Sequence, residues 1–345
     1  MIISCATFGQ RQIQVNGFGH LDYTLNYLPD QQNKIENYGR FGIGEHDLFV
    51  SGAISRKVSF LGEFVVKPSR MSATGFSASI ERARIKYNYY KNHSILVGKM
   101  HTAVNYWNDV YHHGRMFFPT IDRPLNFSYF VPIHSLGIRL RGQNLGKLKF
   151  GYDFQIANGM SPMSVSNDIE RFSYNASVHV KPINGMRIMM GYNNDILPTN
   201  SAGSHAHYTL AHHDSYKGKV ALNQFYFSIS KFESKFELLN EFAIINSTSD
   251  SLGTSLNYTN YLYTGYRIKD KYIPFAMVDF LLTSDKELHV SPINALKYSI
   301  GLRCEFTPMI AVKMQLEKYG GIQLNNSLPK LENEFELKIQ LAYAI

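Results

Sequence analysis

The chain has 345 residues, with 35 Lys and Arg against 27 Asp and Glu for a formal charge of +8; aromatics make up 14% and charged residues only 18%. No apolar run reaches the roughly 18 residues that a membrane helix needs, and the best candidate, Ile273 to Leu282, is interrupted by Asp279. The basic balance suits nucleic-acid binding in principle, but no clustered basic tail or nucleic-acid motif accompanies it, so no nucleic-acid partner is expected.

Residues 1–9 read as the remnant of a secretory signal with cleavage before Gln10, leaving 10–345 as one domain. Ile2-Ile3-Ser4-Cys5 also weakly resembles a lipoprotein cleavage site. The two cysteines, Cys5 and Cys304, imply no disulfide framework. Strand 1 follows at once, with Ile13, Val15, Leu21, Tyr23 and Leu25 on one face, so no plug domain precedes it. Gly17-Phe18-Gly19 lies inside this strand, where glycine eases bending, and is not a nucleotide loop.

From there apolar and polar residues alternate almost to the end, which sorts side chains onto two faces of a strand and would scatter them around a helix. Val58, Phe60, Phe64 and Val66 share a face, as do Leu136, Ile138 and Leu140. Leu148, Phe150, Tyr152, Phe154 and Ile156 form another set, and Phe172 to Val180 and Met186 to Tyr192 alternate likewise. So do Leu296 to Phe306 and Ile310 to Leu316. The last segment is the cleanest, with Phe335, Leu337, Ile339, Leu341, Tyr343 and Ile345 opposed to Glu336, Lys338 and Gln340. The phases of strands 2, 10 and 12 are ambiguous.

Short turns rich in Gly, Pro, Asn and Lys fall near residues 56, 92, 145, 183, 233, 270 and 308. Seven turns and two terminal strands predict about sixteen strands, an even count that puts both ends on one side. Eight longer connections are expected at 28–41, 68–74, 104–132, 158–170, 195–215, 247–257, 283–293 and 320–333. The predicted fold is all-β: a transmembrane antiparallel β-barrel with short periplasmic turns and long external loops, its outer face against outer-membrane lipid. A soluble sandwich or propeller also alternates. Long strands, and Tyr87, Tyr89, Tyr192 and Tyr298 at their ends, favour the barrel.

A barrel of this width encloses water. The predicted pore-lining residues are Arg82, Arg84 and Lys86 on strand 4, Arg139 and Arg141 on strand 6, and Lys149 on strand 7. Their field would favour anions, unless interior salt bridges with Glu63, Glu237, Glu241 or loop aspartates neutralise them.

This layout resembles the general bacterial outer-membrane porins: about sixteen strands, a longest third loop, and a basic ladder on neighbouring walls. The resemblance implies that the third loop folds into the lumen and narrows it, with Asp109, Arg115, Asp122 and Arg123 as constriction charges. It also implies passive diffusion of small hydrophilic solutes and a homotrimer; the wall charges add a mild anion preference, no cofactor is expected, and a larger outer-membrane complex is the alternative assembly. The arginines of that loop, and its aromatics Tyr106, Trp107, Tyr111, Phe117 and Phe118, depart from a purely acidic constriction.

The fifth external loop carries His205, His207, His212 and His213, a candidate metal set. No nucleophile motif such as G-x-S-x-G stands out, so catalysis is not expected. The alternative function is a structural or accessory barrel subunit of an outer-membrane assembly, its lumen blocked by the third loop.

Overall fold

The computed structural model describes residues 13–28, 36–69, 72–111, 118–159, 172–198, 219–233, 235–250, 252–287, 290, 294–321 and 335–345. Sixteen strands appear in chain order: β1 Ile13–Leu28, β2 Glu36–Ala53, β3 Val58–Pro68, β4 Phe76–Tyr90, β5 His93–His101, β6 His134–Leu145, β7 Phe150–Ala157 and β8 Ser173–Val180. The rest are β9 Met186–Pro198, β10 Lys219–Lys231, β11 Phe236–Ser249, β12 Gly253–Tyr266, β13 Tyr272–Leu282, β14 Asn294–Thr307, β15 Ile310–Gly321 and β16 Phe335–Ala344.

Each strand pairs antiparallel with its sequence neighbours, and β1 pairs with β16 from Phe18↔Ala344 to Tyr27↔Phe335, so the sheet closes into a barrel. Backbone exchange between Gly17 and Ile345, at 3.0 and 2.8 Å, continues the seam to the chain's last residue. Closure leaves no strand edge, the condition for placing a sheet in hydrocarbon.

The outer face follows the predicted phases. Ile300 is 60% exposed and Phe225 58%, whereas their inward neighbours Ser299 and Gln224 are buried. Ile300→Arg should destabilise the barrel in lipid by about 2–4 kcal/mol if this face meets the bilayer centre. Denaturant titration in liposomes measures it, and an unchanged midpoint would remove Ile300 from the lipid face.

The seven short turns join the expected strand pairs. At the β12–β13 turn Lys269 and Asp270 have φ of 50° and 52°, the two left-handed positions of a type I′ turn, and the Lys271 amide donates to the Ile268 carbonyl at 3.1 Å. The connection predicted at 247–257 is corrected. β11 runs to Ser249 and β12 starts at Gly253, with Ser249↔Gly253 in register. Thr248 and Thr254 are exposed there on the outward side, and a strand with polar residues on both faces has the composition of a loop.

A β-bulge between Glu63 and Phe64 on β3 and Arg82 and Ile80 on β4 re-aims the residues around Glu81.

Candidate pore and its constriction loop

The third loop leaves β5 at His101 and turns into the barrel. Its described parts include a single π-helical turn, Trp107–Tyr111, and a short helix α1, Leu125–Tyr129. Backbone groups that a loop buries against a barrel wall need hydrogen-bond partners there. The wall strands supply the partners. The Trp107 amide donates to Glu241 Oε1 at 2.8 Å, the Ile121 amide to Gln315 Oε1 at 2.8 Å, and the Leu125 amide to Asp279 Oδ2 at 2.6 Å. In the other direction, Gln224 Nε2 donates to the Phe130 carbonyl at 2.6 Å and the Tyr226 hydroxyl to the Ala103 carbonyl at 2.6 Å. Arg303 and Lys313 donate to the Phe118 and Thr120 carbonyls, each at 3.3 Å.

Apolar packing adds to this anchorage. Trp107, Phe118, Phe127, Phe130 and Val131 are buried against Met189, Leu222, Leu239, Tyr261, Tyr263, Phe275 and Met277 of β9 to β13. The Trp107 and Phe118 rings meet edge-on with centroids 4.3 Å apart. Burying aromatic side chains of this size stabilises by roughly 1.5–3 kcal/mol each. The inner face of β9 to β13 therefore carries apolar residues among its polar ones, which is why the phases of β10 and β12 cannot be read from alternation and why Ile273 to Leu282 looks continuous. Its one interruption, Asp279, is the acceptor for α1.

Both predicted loop acids are held by the wall. Asp109 is shared by Arg141 Nη2 and Arg187 Nη2, each at 2.9 Å. Asp122 takes Lys338 Nζ at 2.5 Å, and Lys338 also reaches Glu317 at 2.6 Å and Glu336 at 2.8 Å. Arg123 pairs with Glu45 at 3.0 Å and stacks over Phe127, 4.8 Å from its centroid. Burial alone would raise the Asp109 carboxyl, but the guanidinium groups of Arg141, Arg187 and Arg139 outweigh it and hold it well below the usual carboxylate range. Arg115 lies outside the described residues. Within the described part both loop acids are ion-paired with wall bases, Asp109 with Arg141 and Arg187 and Asp122 with Lys338.

The predicted wall residues divide. Arg139 is only 3% exposed; it donates to Gln155 at 2.6 and 3.0 Å and to the His101 carbonyl, with Asp153 3.7 Å away. Arg141 reaches Asp153 at 2.6 Å as well as Asp109. These two brace the loop. Arg82 is ion-paired with the buried Glu63 and lies over Phe49, 5.4 Å from the ring centroid. Arg84 and Lys86 also point inward, half-buried, and among the described residues neither has a hydrogen-bond or ion-pair partner. With Gln14, Ser51, Ser59 and Leu61 they border an open space of about 490 Å³.

Lys149 is a correction. It sits exposed in the β6–β7 turn with φ of 47°, one residue before β7 begins, so it is a rim residue and lines no strand wall.

The bases that hold the loop, Arg187, Lys297, Arg303, Lys313 and Lys338, were not singled out from sequence, although their inward phase is legible from the alternation around them. Glu317 joins this set, 3.7 Å from Lys297. The four histidines 205, 207, 212 and 213 fall outside the described residues, and among the described residues no group of three His, Cys, Asp or Glu is placed to hold a metal ion.

No family model matches the sequence, and no curated protein matches it. Solved structures do. An anion-selective porin from Comamonas acidovorans superposes with a TM-score of 0.65 at 9% identity, over 97% of this chain and 100% of that one. The outer membrane channel DcaP of Acinetobacter baumannii gives 0.66 at 11% identity, over 97% of each chain. OmpT of Vibrio cholerae in its trimer form gives 0.61 at 10% identity, over 96% of this chain and 99% of that one. Sixteen antiparallel strands, ring closure and near-complete overlap lead to one statement: this chain has the fold of the bacterial outer-membrane porins.

Proposed function

We propose that the chain is an outer-membrane channel through which small hydrophilic solutes diffuse, with a preference for anions. The observation that carries this is the half-buried Arg84 and Lys86, without partners among the described residues, beside the open space under β1 to β4. The apolar packing of the third loop lies on β9 to β13, while its second limb reaches Glu45 of β2 and Lys338 of β16. A guanidinium and an ammonium facing water keep their full charge, and the low-dielectric walls focus their field on the passing ion. The anion-selective porin from Comamonas acidovorans shares the fold, which agrees with the reading. Assembly as a homotrimer belongs to the same proposal, since the Vibrio protein has a trimer form. No step in this reading calls for a catalytic group.

Purified protein in a planar bilayer tests it. Discrete conductance steps with a reversal potential displaced toward that of chloride are expected under a potassium chloride gradient. Cation-selective steps would overturn the anion preference. A silent bilayer would favour the second reading, an accessory barrel with a blocked lumen, to which the dense packing of Trp107, Phe118, Phe127 and Phe130 lends support. The histidine loop is proposed as a metal ligand on composition alone, and calorimetric titration with zinc would show heat or reject it.

A further inference from the structure

The open wall is not uniformly polar. Phe18 on β1, Phe49 on β2 and Leu61 on β3 all face inward and are only half-buried. The register places Phe49 opposite Asn16, and Leu61 opposite Ser51, so each of the three stands diagonally, two residues along, from the next. Diagonal neighbours are within reach of aromatic and long side chains. The Phe18 and Phe49 rings are 5.5 Å apart between centroids. The strip then meets Arg84, which stands directly opposite Leu61 in the β3–β4 ladder, with Lys86 opposite Ser59 two residues on.

Half-buried apolar side chains facing a lumen gain nothing from small inorganic ions. They lower the energy of a solute that can cover them. The same wall offers cations for a negative group. We propose that this channel favours monoanions carrying an apolar ring: the carboxylate is met by Arg84 and Lys86, and the ring slides along Leu61, Phe49 and Phe18. Arg82 takes no direct part, because Glu63 neutralises it and its guanidinium covers one face of Phe49. This inference rests on the anion-channel reading and names its solute class.

Benzoate and acetate, equal in charge and different in ring, provide the test. Each is added to a bilayer carrying chloride current through the wild-type channel, and the concentration that halves the current is measured. Benzoate should act at a concentration about ten-fold lower than acetate, since one ring's worth of covered apolar surface is expected to exceed 1.4 kcal/mol, a tenfold change. Phe49→Ser together with Leu61→Ser should bring the benzoate constant to within two-fold of the acetate one, and Leu61→Asn alone should close about half of that gap. Arg84→Ala should weaken both anions together. Equal action of the two anions on a chloride-preferring wild-type channel would overturn the ring proposal and leave the anion reading standing. Absence of any chloride preference would overturn both.

Discussion

Replacing Arg84 and Lys86 together by alanine should bring the chloride-over-potassium permeability ratio close to one, the largest selectivity change expected from any pair in the barrel. The two cations lie in one ladder strand, facing the open space, and among the described residues neither forms an ion pair. The effect should be strong at about 0.1 M salt, where the screening length is about 10 Å, and nearly gone at about 1 M, where it is about 3 Å. Arg139→Ala makes the contrast. That guanidinium is buried against Gln155 and Asp153 and cannot reach the permeating ion, so selectivity should hold. Stability should instead fall by about 3–5 kcal/mol, as when one partner of a buried pair is removed. Reversal potentials and denaturant midpoints on the same preparations separate the two. A selectivity ratio that survives loss of Arg84 and Lys86 would remove them from the conduction path.

Asp109→Ala should unseat the first limb of the third loop. One carboxylate there bridges Arg141 of β6 and Arg187 of β9, and its loss leaves two guanidinium groups sharing a confined site, with Asp153 beside Arg141 and His179 beside Arg187. By the same buried-pair argument the docked loop should lose about 3–5 kcal/mol. The readout is a noisy open-channel current together with protease cleavage between Trp107 and Phe118. A quiet current and a protected loop would show that the apolar packing suffices alone. The anchor should also tolerate acid. The Asp109 carboxyl is held below its unfolded value of about 3.9, so its contribution is fully present above that pH and is lost only as pH falls through the lower folded value. Current traces at neutral pH and at a pH near 4 should therefore show the same loop-derived noise.

How much could be read from sequence depended on what each face touches. Where hydrocarbon lies on one side and water or polar groups on the other, as on β4 beyond the bulge at Glu81 with Ala83, Ile85 and Tyr87 opposed to Arg82, Arg84 and Lys86, period-two alternation sorted the residues onto their faces. On β10 and β12 it failed, because Val220, Leu222, Tyr261 and Tyr263 pack inward on the loop and both faces carry apolar residues. Between Ser247 and Asn257 it failed in the opposite sense, both faces being polar beyond the apolar band. Which arginine stays available to a solute was not legible at all. Arg82, Arg84, Arg139 and Arg141 share one phase and one residue type. Their partners, Glu63, none among the described residues, Gln155 with Asp153, and Asp109, are set by ladder register and by a loop folded across long stretches of chain.

The anchorage of the loop's second limb has a consequence for biogenesis. Asp122 is held by Lys338 on the final strand, and the next residue, Arg123, by Glu45 on the second. Those strands lie on either side of β1 and are brought together only when the first and last segments join. A nascent chain still missing its terminal strand therefore has nowhere to fasten these two residues. The seating of this limb inside the barrel matures after the ring is sealed, and its proteolytic protection would report that final joining event during assembly.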